Sequence, residues 1–150
     1  FEQDIRTICE ENTCRLYRKS WACPPAVGTV DECRARCLQY TSAMVFNAVY
    51  PLEDSFDYEG MRRGHRAFKA LCDRLYVLVK SRLSSFLILS NEGCTRCRDC
   101  TYPSTSCRKP ELLFPSLEGF GINVAKLAAG GNIQYTNGKN TVTYFGMLLY

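Results

Sequence analysis

The chain has 150 residues, 46% of them hydrophobic, with ten cysteines, one histidine and a formal net charge of +4. That length supports one domain with a core of its own, so residues 1–150 read as a single unit that does not need five bridges to fold. The modest charge lacks the concentrated basic stripe of a nucleic-acid binder, and no apolar run reaches the length of a membrane span; neither nucleic acid nor membrane is an expected partner.

The cysteines are unevenly spread. Five lie between residues 9 and 37, four between 94 and 107, and Cys72 stands alone. Two groups read as two metal sites or two halves of one, with a disulfide framework as the alternative. No signal-peptide pattern follows Phe1, and a reducing cytoplasm is the expected compartment.

In chain order, the first forty residues read as an irregular, turn-rich wrap, with an extended exit at Cys23-Pro24-Pro25. Thr29-Val30-Asp31-Glu32 has the spacing of a capping box, and the short helix after it puts Cys33 and Cys37 on one face. Ala43 to Tyr50 reads as a strand stopped by Pro51. From about Asp57 to Val79 the period is helical. Met61, Phe68, Leu71, Cys72, Leu75, Tyr76 and Val79 share an apolar face, while Arg62, Arg66, Lys69 and Asp73 share the opposite one. Phe86 to Leu89 reads as a second strand. A strand–helix–strand unit predicts adjacent parallel strands with a right-handed crossover, and the cysteine loop from Gly93 would then lie beyond a carboxyl strand end. Pro115-Ser116 opens a predicted helix with Leu117, Phe120, Val124, Leu127 and Ala128 as its stripe and Gly130-Gly131 as its stop. Residues Asn132 to Thr136, the Asn137-Gly138 turn and Thr141 to Leu149 read as a β-hairpin. The expected fold is α/β: a small, partly parallel sheet with two main helices, a cysteine-rich N-terminal wrap and a C-terminal β-hairpin.

Cys94, Cys97, Cys100 and Cys107 carry the sharpest chemistry. Two residues between successive thiols let one loop wrap several sulfurs around one centre, and a zinc ribbon would place its two Cys-x-x-Cys pairs a dozen or more residues apart. The repeat favours a 4Fe–4S cluster, with zinc as the alternative. Arg96, Arg98, Arg108 and Lys109 flank the loop and would compensate thiolate charge. Cys9, Cys14 and Cys23, with Cys33 or Cys37 as a fourth ligand, form a looser constellation that fits a second metal site. Trp21 and Tyr17 are expected to pack beside it. Cys72 reads as a small core residue and His65 as a helix-surface or packing residue. The pairs Glu53-Asp54 and Asp57-Glu59 read as loop and helix-start charges.

Three blocks, in this order, resemble a known group: Cys9-x4-Cys14-x2-Tyr17-x3-Trp21-x-Cys23-Pro24-Pro25; Leu52-Glu53-Asp54-Ser55-Phe56-Asp57-Tyr58-Glu59-Gly60-Met61; and Gly93-Cys94-x2-Cys97-x2-Cys100-Thr101-Tyr102-Pro103-x3-Cys107-Arg108-x-Pro110. Followed by Pro115-Ser116-x-Glu118-x2-Gly121, they resemble the predicted metal-binding proteins of anaerobic bacteria and archaea, a cysteine-rich domain family of unknown function. The resemblance implies an intracellular, anaerobic setting. It also implies Cys9, Cys14, Cys23, Cys94, Cys97, Cys100 and Cys107 as ligands, with Cys33 and Cys37 matching less firmly. Similar proteins often carry a further cysteine in the last strand, where this chain has Gly146-Met147; by the resemblance, the first site here lacks that ligand or recruits Cys33. The expected function is metal binding, with one or two 4Fe–4S clusters passing electrons to a partner protein. The alternatives are a structural zinc protein and an iron–sulfur enzyme with an open coordination position acting on a small substrate.

Overall fold

The computed structural model describes residues 1–91 and 93–150. Four α-helices and three strands are present among them: α1 (Gln3–Glu10), α2 (Val30–Cys37), β1 (Ala43–Pro51), α3 (Tyr58–Val79), β2 (Leu87–Leu89), α4 (Val124–Gly130) and β3 (Thr141–Leu149). Single 3-10 turns stand at Pro110–Leu112 and Glu118–Phe120.

The helix starts follow their capping chemistry. Thr29 and Glu32 form the reciprocal capping box of α2, and the Asp57 carboxylate accepts from the Gly60 N–H at the start of α3, 2.7 Å away. Helix α1 stands where an irregular wrap is expected from the sequence. It is anchored instead by Arg6, buried at 5% exposure, which donates to the carbonyls of Gly28 and Gly119. Beyond α1 the wrap is turn-rich as expected, with Asn12, Arg15 and Arg18 all at positive φ.

The sheet corrects the expected topology. β1 and β2 do run the same way, but they are not adjacent: the strand order is β1–β3–β2, and β3 pairs antiparallel with both. The expected hairpin is likewise absent among the described residues. Both edges of β3 are taken, over nine residues by β1 and over three by β2, so nothing remains for residues 132–136 to pair with. They cover the sheet instead, with Tyr135 stacked on Phe145 at 5.7 Å.

Side chains alternate across this sheet as a pleated strand requires. Leu87, Leu89, Phe145, Met147 and Leu149 join Cys33, Cys37, Leu117 and Phe120 in one core. Ile88, Leu148, Phe46 and Tyr144 join Phe68, Cys72 and Val79 of α3 in the other. Burial on both faces explains why β2 and the end of β3 are continuous apolar runs with no polar alternation. The predicted helix from Pro115 is split at Gly121, whose φ of 75° no helix accommodates. A Cβ there would stand 3.0 Å from Val30 Cγ1 and 3.1 Å from the Glu2 carbonyl oxygen, where α1, α2 and this turn meet.

Candidate metal centre

The cysteine segments are held where the sheet ends. Beyond β2 the chain is stapled to residues 115–117: the Ser90 N–H donates to Pro115 O at 2.8 Å, and the Leu117 N–H to Ser90 O at 3.0 Å. From there it runs into Gly93, at φ 63°, where a Cβ would stand 2.9 Å from Leu16 Cδ1 of the N-terminal wrap. The second cysteine loop therefore starts against the first cysteine segment. Trp21 meets Tyr102 edge to face across the same seam.

Lys69 lies at this junction, and here the sequence reading needs correction. The helical period placed Lys69 and Asp73 on a solvent face of α3. Lys69 is buried at 7% exposure. Its ammonium donates to Ser90 Oγ at 3.2 Å, Asn91 O at 2.7 Å and Gly93 O at 3.0 Å. Three protons meet three acceptors, the arrangement of a charged amine. Burial pulls its pKa down to about 8, while Cys72, Cys94 and Cys23, all within electrostatic reach, pull it back up. Asp73 is equally engaged, pairing in a fork with Arg96, which also lies over the Phe114 ring at 5.1 Å. The readable signal was the three-residue step from Lys69 to Cys72, which puts the lysine beside the apolar stripe as much as beside Asp73.

Charge compensation at the loop is divided differently from the expectation. Arg96 is tied to Asp73 and to Leu112 O, and Arg108 to the Asp99 carbonyl. These two arginines fix the shape of the loop. The buried cation facing thiols of both groups is Lys69, from α3.

The predicted ligands fall into three sets. Cys9, Cys14 and Cys23 act on one another electrostatically and line one cavity of about 430 Å³. Burial pushes the Cys9 thiol up to about 11, with Glu118 and the neighbouring thiols adding to it; burial also raises Cys23, against a partial offset from the Gly93 amide. In the second set Cys94 and Cys107 are within electrostatic reach, and burial raises Cys94 while Lys69 and Arg96 act the other way. Cys97 is half-buried and Cys100 exposed on the same loop.

Cys33 belongs to neither set. It is fully buried, with its Sγ donating to Val27 O at 3.3 Å and facing Arg6 and Cys37 within the core. The last strand holds no substitute. A Cβ at Gly146 would stand 2.4 Å from Phe46 Cζ, and Met147 lies in the sheet core.

Cys72 is buried as expected, 3.4 Å from Ser90 Oγ. His65 packs on α3 against the Tyr144 ring. Asp54 and Asp57 serve as turn and helix-cap acceptors.

Among the described residues no three His, Cys, Asp or Glu side chains are already gathered as an ion cage. The donor chemistry nevertheless fits a metal. Thiols are soft ligands suited to iron–sulfur centres and zinc, and a buried ammonium offsets the charge that their deprotonation creates.

The structure thus defines a cysteine-rich α/β domain whose thiol segments meet around a buried cation. The sequence matches the family described as Predicted metal-binding protein (DUF2284) over residues 1–150, and the chain belongs to that family. No curated protein and no solved structure matches it. No helix among the described residues is long and apolar enough to cross a membrane.

Proposed function

We propose that the chain binds one or two 4Fe–4S clusters through its two cysteine groups and passes electrons to a partner protein in the cytoplasm. The observation that carries this reading is the Lys69 ammonium, buried against the start of the second cysteine loop and within reach of Cys23 and Cys94. Cluster thiolates and sulfides concentrate negative charge, and hydrogen bonds and nearby cations stabilise it and set the reduction potential. Cys94, Cys97, Cys100 and Cys107 would hold one centre, and Cys9, Cys14 and Cys23 a second.

Iron, acid-labile sulfide and zinc per chain, measured with the visible spectrum on protein purified without oxygen, test the reading. About four irons and four sulfides mean one centre, and about eight of each mean two. Stoichiometric zinc without sulfide replaces it with a structural zinc protein, and no metal at all sinks it.

A further inference from the structure

The N-terminal cysteine group differs from the second in one respect: its three thiols open on a cavity. The cavity, about 430 Å³, is lined by Cys9, Cys14 and Cys23, by Glu118, and by mainly apolar residues, among them Ile8, Val124 and Phe145. That volume falls within the roughly 300–1,000 Å³ of small-molecule sites. Asn91 also lines it, is 5% exposed, and carries a buried Nδ2 with no hydrogen-bond partner among the described residues. Its Oδ1 accepts from Ser90 Oγ at 3.2 Å, which leaves Nδ2 as the amide atom turned to the cavity. A buried donor without an acceptor is costly unless something completes it.

We propose that this cavity is a ligand site: a metal centre held by the three thiolates of Cys9, Cys14 and Cys23 keeps a coordination position facing it. The occupant is a small, mostly apolar organic molecule with a metal-donor atom at one end and a carbonyl or carboxylate oxygen that accepts from Asn91 Nδ2. The inference rests on the metal reading above and goes beyond electron transfer. Cys33, the fourth ligand expected from sequence, is held in the core by Val27 and Arg6, so the set on the cavity stops at three.

The test uses the full chain, loaded without oxygen, titrated with 3-mercaptopropionate, whose thiol can take a metal position and whose carboxylate can accept from an amide. Metal content is determined on every sample. The expected result is a saturable change in the visible and electron paramagnetic resonance spectra. Ile8→Trp, at a position 55% exposed, fills the cavity without disturbing the core and abolishes the response. Asn91→Leu weakens binding by roughly tenfold, the worth of one buried hydrogen bond.

A loaded protein whose spectra do not move overturns the ligand site and leaves the metal reading standing. A response unchanged in Ile8→Trp places the probe elsewhere and also overturns it. Wild-type protein that takes up no metal removes both readings together.

Discussion

Trp21 and Tyr102 meet edge to face with ring centroids 5.0 Å apart, one from each cysteine segment. This geometry contributes about 0.5–1.5 kcal/mol beyond area burial. Trp21 is the only tryptophan in the chain, so its fluorescence reports on this seam alone. Metal loading is expected to quench and shift its emission, and Tyr102→Ala to change the metal-free spectrum towards that of an exposed indole. Emission that ignores both would show that the two segments are not joined there.

Cys97→Ser is expected to remove one complete centre, halving iron and sulfide if the wild type carries two. Cys33→Ala should keep full metal content while losing about 1–3 kcal/mol of stability in urea, as a core truncation does. Equal metal losses in the two variants would return Cys33 to the ligand set.

Lys69→Met leaves the Asn91 and Gly93 carbonyls without their buried donor. A cost of about 2–4 kcal/mol in the metal-free protein follows from two unsatisfied acceptors. In the loaded protein the reduction potential should fall, because a positive charge near the centre favours the more negative, reduced form. Lys69→Arg restores the charge but cannot match three acceptors gathered around one nitrogen, so it should recover potential better than stability. A potential unmoved by Lys69→Met would separate this lysine from the centre.

Stability of the metal-free chain should fall as pH rises from about 9 to 11. Burial raises the Cys37 thiol to about 11 from an ordinary value of 9.0. Through this window the unfolded chain has released a proton that the folded chain still holds, so the thiol's contribution, complete below pH 9, is lost by the time pH passes 11. Cys9, also raised to about 11, acts in the same direction. Lys69, lowered to about 8, acts the opposite way between about 8 and 10.5, because there the unfolded chain binds the extra proton. Urea unfolding across this range for wild type and Cys37→Ala checks the sign: the variant's decline should be shallower.

Gly146 pairs with Phe46 across β1 and β3, and its missing Cβ is where the Phe46 ring lies. Gly146→Ala should cost about 1–3 kcal/mol through overpacking, and Phe46→Leu in the same chain should restore part of it. Thermal unfolding of the two single variants and the double variant measures that coupling; additive losses would deny the contact.

What was legible in the sequence follows from what is local. The α2 capping box, the limits of α3 and the strand character of β1 rest on neighbours within a few residues, and all three stand as read. Strand order is not local. Nothing between residues 43 and 89 shows that a strand some fifty residues later will enter between β1 and β2. The same limit applied to Lys69. Helical period assigns a face, but only the return of the chain at Asn91 and Gly93 turns that face into an interior. Nearness in sequence grouped Cys9, Cys14 and Cys23 with Cys33 or Cys37, whereas the cavity lined by the first three is built from α1, α4 and β3 together.

The middle place of β3 bears on how the protein is made. All ten cysteines precede Thr141 in the sequence, so every thiol is synthesised before the strand that knits the sheet. Until then β1 and β2 have no shared neighbour, and Lys69 lacks the settled framework around Ser90 that buries it. Loading of both cysteine groups in their final geometry is therefore expected to follow synthesis of β3, because the sheet that positions them is completed last.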